Sequence, residues 1–200
     1  MTEIQYSSDK YITLTEAAET IESGDTIWLG SSLSISNDFL WALSKRNDEL
    51  ENVTLLTHKP QNPNPMLTHL KYLKAFHLAS FMGSYSFSEN SDAGVPGFRQ
   101  TPYGTFSRMI CETFKVNTIV TELCPPDEAG NCDYGTFGTG TTPYISNYEG
   151  ITKTIAILNS HQPLGNTAKI HLENVDYICE SEHALPCISP TQNVFCGTPA

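Results

Sequence analysis

Apolar and polar positions along this chain switch repeatedly between a helical and a strand-like period. Leu14, Ala17, Ala18 and Ile21 recur at i, i+3, i+4 and i+7, the spacing of one helix face. Thr13 and Glu16 bracket the start as a capping box, in which the threonine side chain receives a helical amide and the glutamate reaches back. Gly24 is expected to end this helix as the left-handed residue past its last turn. Residues 25–30 then read as a short buried strand opening into a loop at 31–36. A second helix from Asp38 to Lys45 would bury Phe39, Leu40 and Leu43. Residues 52–57 read as a strand, and 58–65, with prolines at 60, 63 and 65, as a loop. Pro65 suits the first helical position behind an Asn64 cap, and Met66, Leu67, Leu70 and Leu73 would follow along one face. Residues 76–81 predict a third strand, 84–97 a polar loop, 103–115 an amphipathic helix through Phe106, Met109, Ile110 and Phe114. Strands are predicted at 117–123, 151–159 and 175–180, with a turn-rich loop at 124–131 and a short helix at 143–149.

Strands alternating with helices predict an α/β fold, a mostly parallel sheet with helices on both faces, Rossmann-like in its winding. In such sheets ligands bind outside the carboxyl ends of the strands. That directs attention to the loops 31–36, 58–65, 83–97, 124–131 and 160–167. No internal repeat is visible. The pattern fades after Pro186, so residues 1–186 read as one domain and 187–200 as a tail or the start of a linker.

Charge and composition narrow the function. The 200 residues carry 22 acids and 11 bases, a formal charge of −11. Only three arginines are present, at 46, 99 and 108, which excludes a nucleic-acid surface built on clustered Lys and Arg. The acidic excess also disfavours an anionic membrane face. No apolar run approaches the roughly 20 residues of a membrane span, and residues 1–8 have neither the basic start nor the apolar stretch of a signal peptide. Six cysteines, at 111, 124, 132, 179, 187 and 196, are widely spread with no Cys-x-x-Cys pair. They read as free thiols of a cytoplasmic protein rather than a disulfide framework.

Motif chemistry is sparse. Gly135, Gly138 and Gly140 form a G-x-x-G-x-G run that meets neither the dinucleotide fingerprint nor the P-loop, so it is a ligand-lining loop or a structural turn. Thr141-Thr142-Pro143 could present amides at a helix start. The six histidines show no metal-ligand spacing, and no metal site is expected. Gly30-Ser31-Ser32-Leu33-Ser34 is not a nucleophile elbow, but a glycine directly after a strand suits close approach of a ligand to the backbone.

Three blocks resemble a known family. The first is Thr13 to Asp25 (TLTEAAETIESGD), the strand to Gly30, and Ala42-Leu43 ahead of Glu49 to Val53. The second is Pro125 to Gly135 (PPDEAGNCDYG), and the third Leu158 to Pro163, then Ile170 to Glu180 with Leu185-Pro186. In order and spacing across residues 11–186 they resemble the N-terminal half of the acetyl-CoA hydrolase/transferase family, which includes 4-hydroxybutyrate and butyrate CoA-transferases. The chain departs from the family at Ser31 to Ser36, where a glycine-containing or G-E-P stretch is usual. It also departs at Leu158 to Pro163 (LNSHQP), which replaces V-N-x-Q-M-P, and at Tyr103-Gly104.

The resemblance implies the NagB/RpiA/CoA-transferase-like fold and movement of coenzyme A between an acyl-CoA and a small carboxylate, or hydrolysis of the acyl-CoA. Coenzyme A and its esters are then substrates, and no resident cofactor is expected. The family's nucleophilic glutamate belongs to a C-terminal half, and Glu112, Glu122, Glu128, Glu149 and Glu180 match no part of its motif. The resemblance implies a homo-oligomer, and a C-terminal half or partner subunit. The substrate-binding candidates in this chain are Gly30, Ser31, Ser32, Pro125, Asp127, Gly130 and Gly138. Two other readings compete: a non-catalytic module binding a CoA ester or small acid, and a hydrolase using Cys124 or Cys132.

Overall fold

A computed structural model describes residues 8–58, 64–67, 69–81, 101–137, 141–165 and 168–185. Among them, six strands form one wholly parallel sheet: β1 (Thr26–Ser31), β2 (Val53–His58), β3 (Phe76–Ser80), β4 (Thr118–Leu123), β6 (Lys153–Leu158) and β8 (Tyr177–Glu180). Their order is β3-β2-β1-β4-β6-β8, while β5 (Asn131–Asp133) and β7 (Lys169–His171) pair antiparallel as a separate ribbon. The described helices are α1 (Leu14–Glu19), α2 (Asn37–Ser44), α3 (Tyr103–Glu112) and α4 (Thr141–Ile145).

Successive strand residues point to opposite faces, and the sequence fills both faces with apolar side chains. Ile27, Leu29, Leu55, Val120, Ile155 and Ile157 pack with α1 and α2 through Ala17, Ala18, Phe39, Leu40 and Leu43. Trp28, Leu56 and Ile119, their immediate neighbours, pack instead with Phe106 and Ile110 of α3 and Ile145 of α4. Trp28 is fully buried, and its indole N–H is satisfied by the Thr142 hydroxyl at 3.0 Å. Burial on both faces is why these strands read as near-continuous apolar runs.

The predicted capping box is present: Thr13 accepts from the Glu16 amide at 3.2 Å, and Glu16 accepts the Thr13 amide at 2.8 Å. The helix it starts is shorter than the periodicity implied. It stops at Glu19 because Arg46 reaches across from behind α2 and donates to the carbonyls of Ala18 and Ile21, both at 2.7 Å. Gly24 does adopt a left-handed φ of +89°, but in the turn that opens β1 rather than at the helix end. The helix expected behind Pro65 is replaced by two 3-10 turns, Pro65–Leu67 and Leu70–Tyr72. Here the core takes Met66, Leu67 and Tyr72 and leaves Leu73 exposed, a pattern no straight α-helix face provides. Asn64 caps the first turn as expected, accepting from the Met66 amide at 2.9 Å. The β5–β7 ribbon was not foreseen, since three-residue strands carry too little alternation to read.

The loop predicted at 84–97 and the tail at 187–200 lie outside the described residues, as do parts of 58–65 and 160–167. No helix among the described residues is long and apolar enough to cross a membrane.

Candidate functional site

The chain leaves β1 toward β2 and β3 and resumes on the opposite side at β4. Loops from β1 and β4 therefore diverge, and the carboxyl ends of this pair form the edge where ligands of wound α/β sheets bind. Gly30 and Ser31 end β1 at this edge. Gly30 has φ +86°, and a methyl added there would meet Ser34 Oγ at 2.5 Å and Thr121 Oγ1 at 3.3 Å. Ser32 continues in a left-handed conformation at φ +52°. Ser34 closes the turn, accepting the Ser31 amide and donating to the Ser31 carbonyl, each at 2.9 Å. Hydroxyls of Ser34, Thr57 and Thr121, all on buried residues, thus surround the backbone at Gly30, whose left-handed φ favours glycine.

On the α2 face of β4 lies a residue the sequence alone did not single out. Glu122 follows Val120 onto that face and is fully buried. Its Oε2 accepts from Asn159 Nδ2 at 3.2 Å and from Gln162 Nε2 at 3.1 Å, while its Oε1 stands 3.1 Å from His183 Nε2. Burial pushes its pKa above the ordinary carboxylate value, against the opposing pull of Gln162, His183, Asn159 and the Ser36 hydroxyl. Gln162 uses the same amide nitrogen to hold the Leu33 carbonyl at 2.8 Å, which ties the β1 loop to Glu122. Ser36 also caps α2, accepting the Phe39 amide at 3.3 Å. On the other side of the imidazole, His183 Nδ1 lies 3.7 Å from Asp38, and Ser181 donates to Asp38 at 2.6 Å. Segments following β1, β6 and β8 converge on this one carboxyl group. The legible signal was a glutamate inside Ile119-Val120-Thr121-Glu122-Leu123, an otherwise uncharged, wholly buried strand.

The predicted site residues divide. Gly30, Ser31 and Ser32 lie together with Ser34 and Thr121 at the carboxyl end of β1. Asp127 is committed to its own turn: Oδ1 accepts from the Ala129 and Asn131 amides at 3.1 and 2.9 Å, and Oδ2 receives Lys169 at 2.8 Å. The Lys169 hydrogen bond, followed by that of the Asn131 amide, holds the Asp127 carboxyl well below the usual carboxylate range. Gly130 supplies the left-handed residue of that turn at φ +82°, and Pro125 lies exposed at its start. Gly138 lies outside the described residues. Gly135, at φ +63°, faces Gln162, whose Oε1 would stand 2.7 Å from an added methyl.

The described thiols are poor nucleophiles. Cys111, Cys124, Cys132 and Cys179 are all buried. Burial raises the pKa of each, to about 11 for Cys111 and about 12 for Cys132 and Cys179. Among the described residues no group of three or more His, Cys, Asp or Glu is placed to hold a metal ion.

No family model matches the sequence. Over 189 residues the chain is 29% identical to the "Probable butyrate:acetyl-CoA coenzyme A-transferase" of Syntrophomonas wolfei, a match covering 90% of this chain and 40% of that protein. The chain is similar to a CoA-transferase. Solved structures agree in fold. RipA from Yersinia pestis superposes with a TM-score of 0.78 at 18% identity, covering 90% of this chain and 44% of that one. The 4-hydroxybutyrate CoA-transferase of Porphyromonas gingivalis gives 0.72 at 17%, covering 91% and 42%. The α/β fold expected from the sequence is thus the fold of CoA-transferase-like structures, and this chain spans 40% of the length of its CoA-transferase relative.

Proposed function

We propose that this domain forms one wall of a CoA-transferase-type site, in which coenzyme A passes between an acyl-CoA and a small carboxylate. What supports this is the match to a CoA-transferase across 90% of the chain, together with the cluster of hydroxyl residues around Gly30 at the carboxyl end of β1. In this reading the nucleophile is a glutamate of a second α/β half, on the same chain or on a partner subunit, in an assembly of identical copies. That carboxylate attacks the thioester carbonyl and coenzyme A leaves as thiolate, giving an acyl-glutamyl anhydride. Most contacts to the coenzyme A phosphates would then come from the other half, because both described arginines are engaged. Arg46 is spent on Glu49 and on the α1 carbonyls, and Arg108 pairs with Glu112.

The chain is to be mixed with acetyl-CoA and butyrate, with and without a candidate C-terminal half. Transfer is expected only with both, and robust transfer by this chain alone overturns the reading. One observation favours a second reading, a binding module for a CoA ester or small acid: the described residues offer buried thiols and a fully buried Glu122 but no accessible activated nucleophile. Calorimetric titration with coenzyme A separates the two, since micromolar affinity without a partner favours the module.

A further inference from the structure

Gln162, in the segment after β6, is almost fully buried and is held on both sides by its main chain. Its amide donates to the Asn159 carbonyl at 3.1 Å, and its own carbonyl receives the Cys124 thiol at 3.3 Å. From that fixed point the side chain reaches into another loop. Nε2 donates to the Leu33 carbonyl at 2.8 Å and to Glu122 Oε2 at 3.1 Å, which engages both of its protons. Reversing the carboxamide would set Oε1 against those two acceptors, so the partners fix its orientation. Oε1 lies instead beside Gly135, where an added methyl would stand 2.7 Å from it.

Two turns meet at this side chain. Ser32–Ser34 follows β1, Gly135–Phe137 follows β5, and the two stand against each other. The second turn has an anchor of its own. Asp133 Oδ1 accepts from the Gly135 amide at 2.7 Å and from the Gly165 amide at 3.2 Å, which ties residues 162–165 to the glycine turn. Among the described residues, the bond from Gln162 Nε2 to Leu33 is the hydrogen bond that joins the β1 turn to this stretch.

We propose that Gln162 is a positioning residue of the candidate site, its carboxamide setting the Ser32–Ser34 turn in register with the Gly135 turn. The proposal rests on the reading that the carboxyl end of β1 takes part in ligand binding. A turn joined to its neighbour by packing alone opens by itself. Opening the β1 turn against Gln162 leaves a buried N–H without its acceptor, a cost that packing does not carry. The two turns therefore keep one spacing before a ligand arrives, which is what a preorganised site requires.

The test is native-state amide hydrogen exchange on the full chain without ligand. The Ser31 amide, bonded to Ser34 Oγ at 2.9 Å, reports the first turn, the Gly135 amide reports the second, and amides of β4 serve as reference. Gln162→Met keeps an unbranched side chain of similar length and removes both N–H groups. Protection of Ser31 is expected to fall about tenfold in this variant, the worth of one buried hydrogen bond. Gly135, still held by Asp133, and the β4 amides are expected to keep theirs. Unchanged protection at Ser31 overturns the proposal, because Gln162 then only fills space. An equal fall at Ser31, Gly135 and β4 also overturns it, as a general loss of stability. In the unaltered chain the Nε2 protons of Gln162 are expected to exchange with the same opening free energy and denaturant dependence as the Ser31 amide. Independent exchange refutes the coupling, and this comparison decides the matter should Gln162→Met not fold. Transfer from acetyl-CoA to butyrate, with a candidate C-terminal half supplied, tests the site reading apart. Absent transfer with Ser31 still coupled to Gln162 sinks that reading and leaves the coupling standing. With transfer present, Gln162→Met is expected to lower kcat/KM about tenfold, and an unchanged value with the turn released sinks the positioning role alone.

Discussion

Replacing Gly30 by alanine isolates the element on which the turn after β1 depends. Two costs add. The first is conformational, because an L-residue at φ +86° is held in the left-handed region, at about 1–2 kcal/mol. The second is steric. The new methyl would sit 2.5 Å from Ser34 Oγ, so that hydroxyl must leave, and it gives up the bonds to the Ser31 amide and carbonyl, both 2.9 Å. Two buried hydrogen bonds at roughly 1 kcal/mol each bring the total to about 3–4 kcal/mol. With a urea m-value of about 2 kcal/mol/M, the midpoint is expected to fall by roughly 1.5–2 M at unchanged m. The double variant Gly30→Ala/Ser34→Ala divides the costs. Against Ser34→Ala as reference, the glycine change is expected to cost mainly the conformational part, about 1–2 kcal/mol, with the Ser34 carbonyl at 3.2 Å and Thr121 Oγ1 at 3.3 Å still close to the methyl. A loss below about 0.5 kcal/mol for Gly30→Ala alone would refute the reasoning, since neither cost could then be present. So would equal penalties in both backgrounds, because the clash with Ser34 would then carry no energy.

Further outcomes follow from the same contacts. Arg46→Met removes the donor that closes α1 and is expected to destabilise by about 2 kcal/mol in urea, since two helix-end carbonyls lose a charged partner; Arg46→Lys should recover only part. Because the folded state raises the pKa of Glu122, it holds that proton more tightly than the unfolded chain. Stability is therefore expected to fall as pH rises from the ordinary carboxylate range through the raised value, and the Glu122→Gln curve should be flatter there. Asp127 has the opposite sign. Its depressed carboxyl contributes stability above the ordinary carboxylate range that is lost in acid, so Asp127→Asn is expected to be less stable at neutral pH and to converge with the parent as pH falls. Treatment of the folded chain with a disulfide reagent at pH 7.5, followed by peptide mass mapping, is expected to leave Cys111, Cys124, Cys132 and Cys179 unlabelled until denaturant is added. Rapid labelling of Cys124 in the folded state would return a cysteine mechanism to consideration.

Much of the fold was written in local chemistry. The capping box at Thr13 and Glu16 and the buried runs of β1, β4 and β6 depend on contacts near in sequence or on burial on both faces, and periodicity reports both. Gly30 after its strand was equally legible, because the residue type itself carries the φ requirement. Three features were decided by tertiary packing. Arg46 stops α1 from 25 or more residues away, which no local propensity encodes. Tyr72, rather than Leu73, enters the core and breaks the helix expected behind Pro65. Asp127, which as a motif residue looked fit for a ligand, is claimed by Lys169, brought to it only by the β5–β7 pairing.

The Glu122 cluster shows the division most sharply. The sequence by itself determined that Glu122 would stand in a strand, and that glycine and serines would follow β1. It could not determine what meets that carboxyl group, because Asn159, Gln162 and His183 lie 37 to 61 positions further on, as their numbers state. The parallel order β1-β4-β6-β8 brings those loop ends to one edge, and desolvation there turns a glutamate into a group that must find donors.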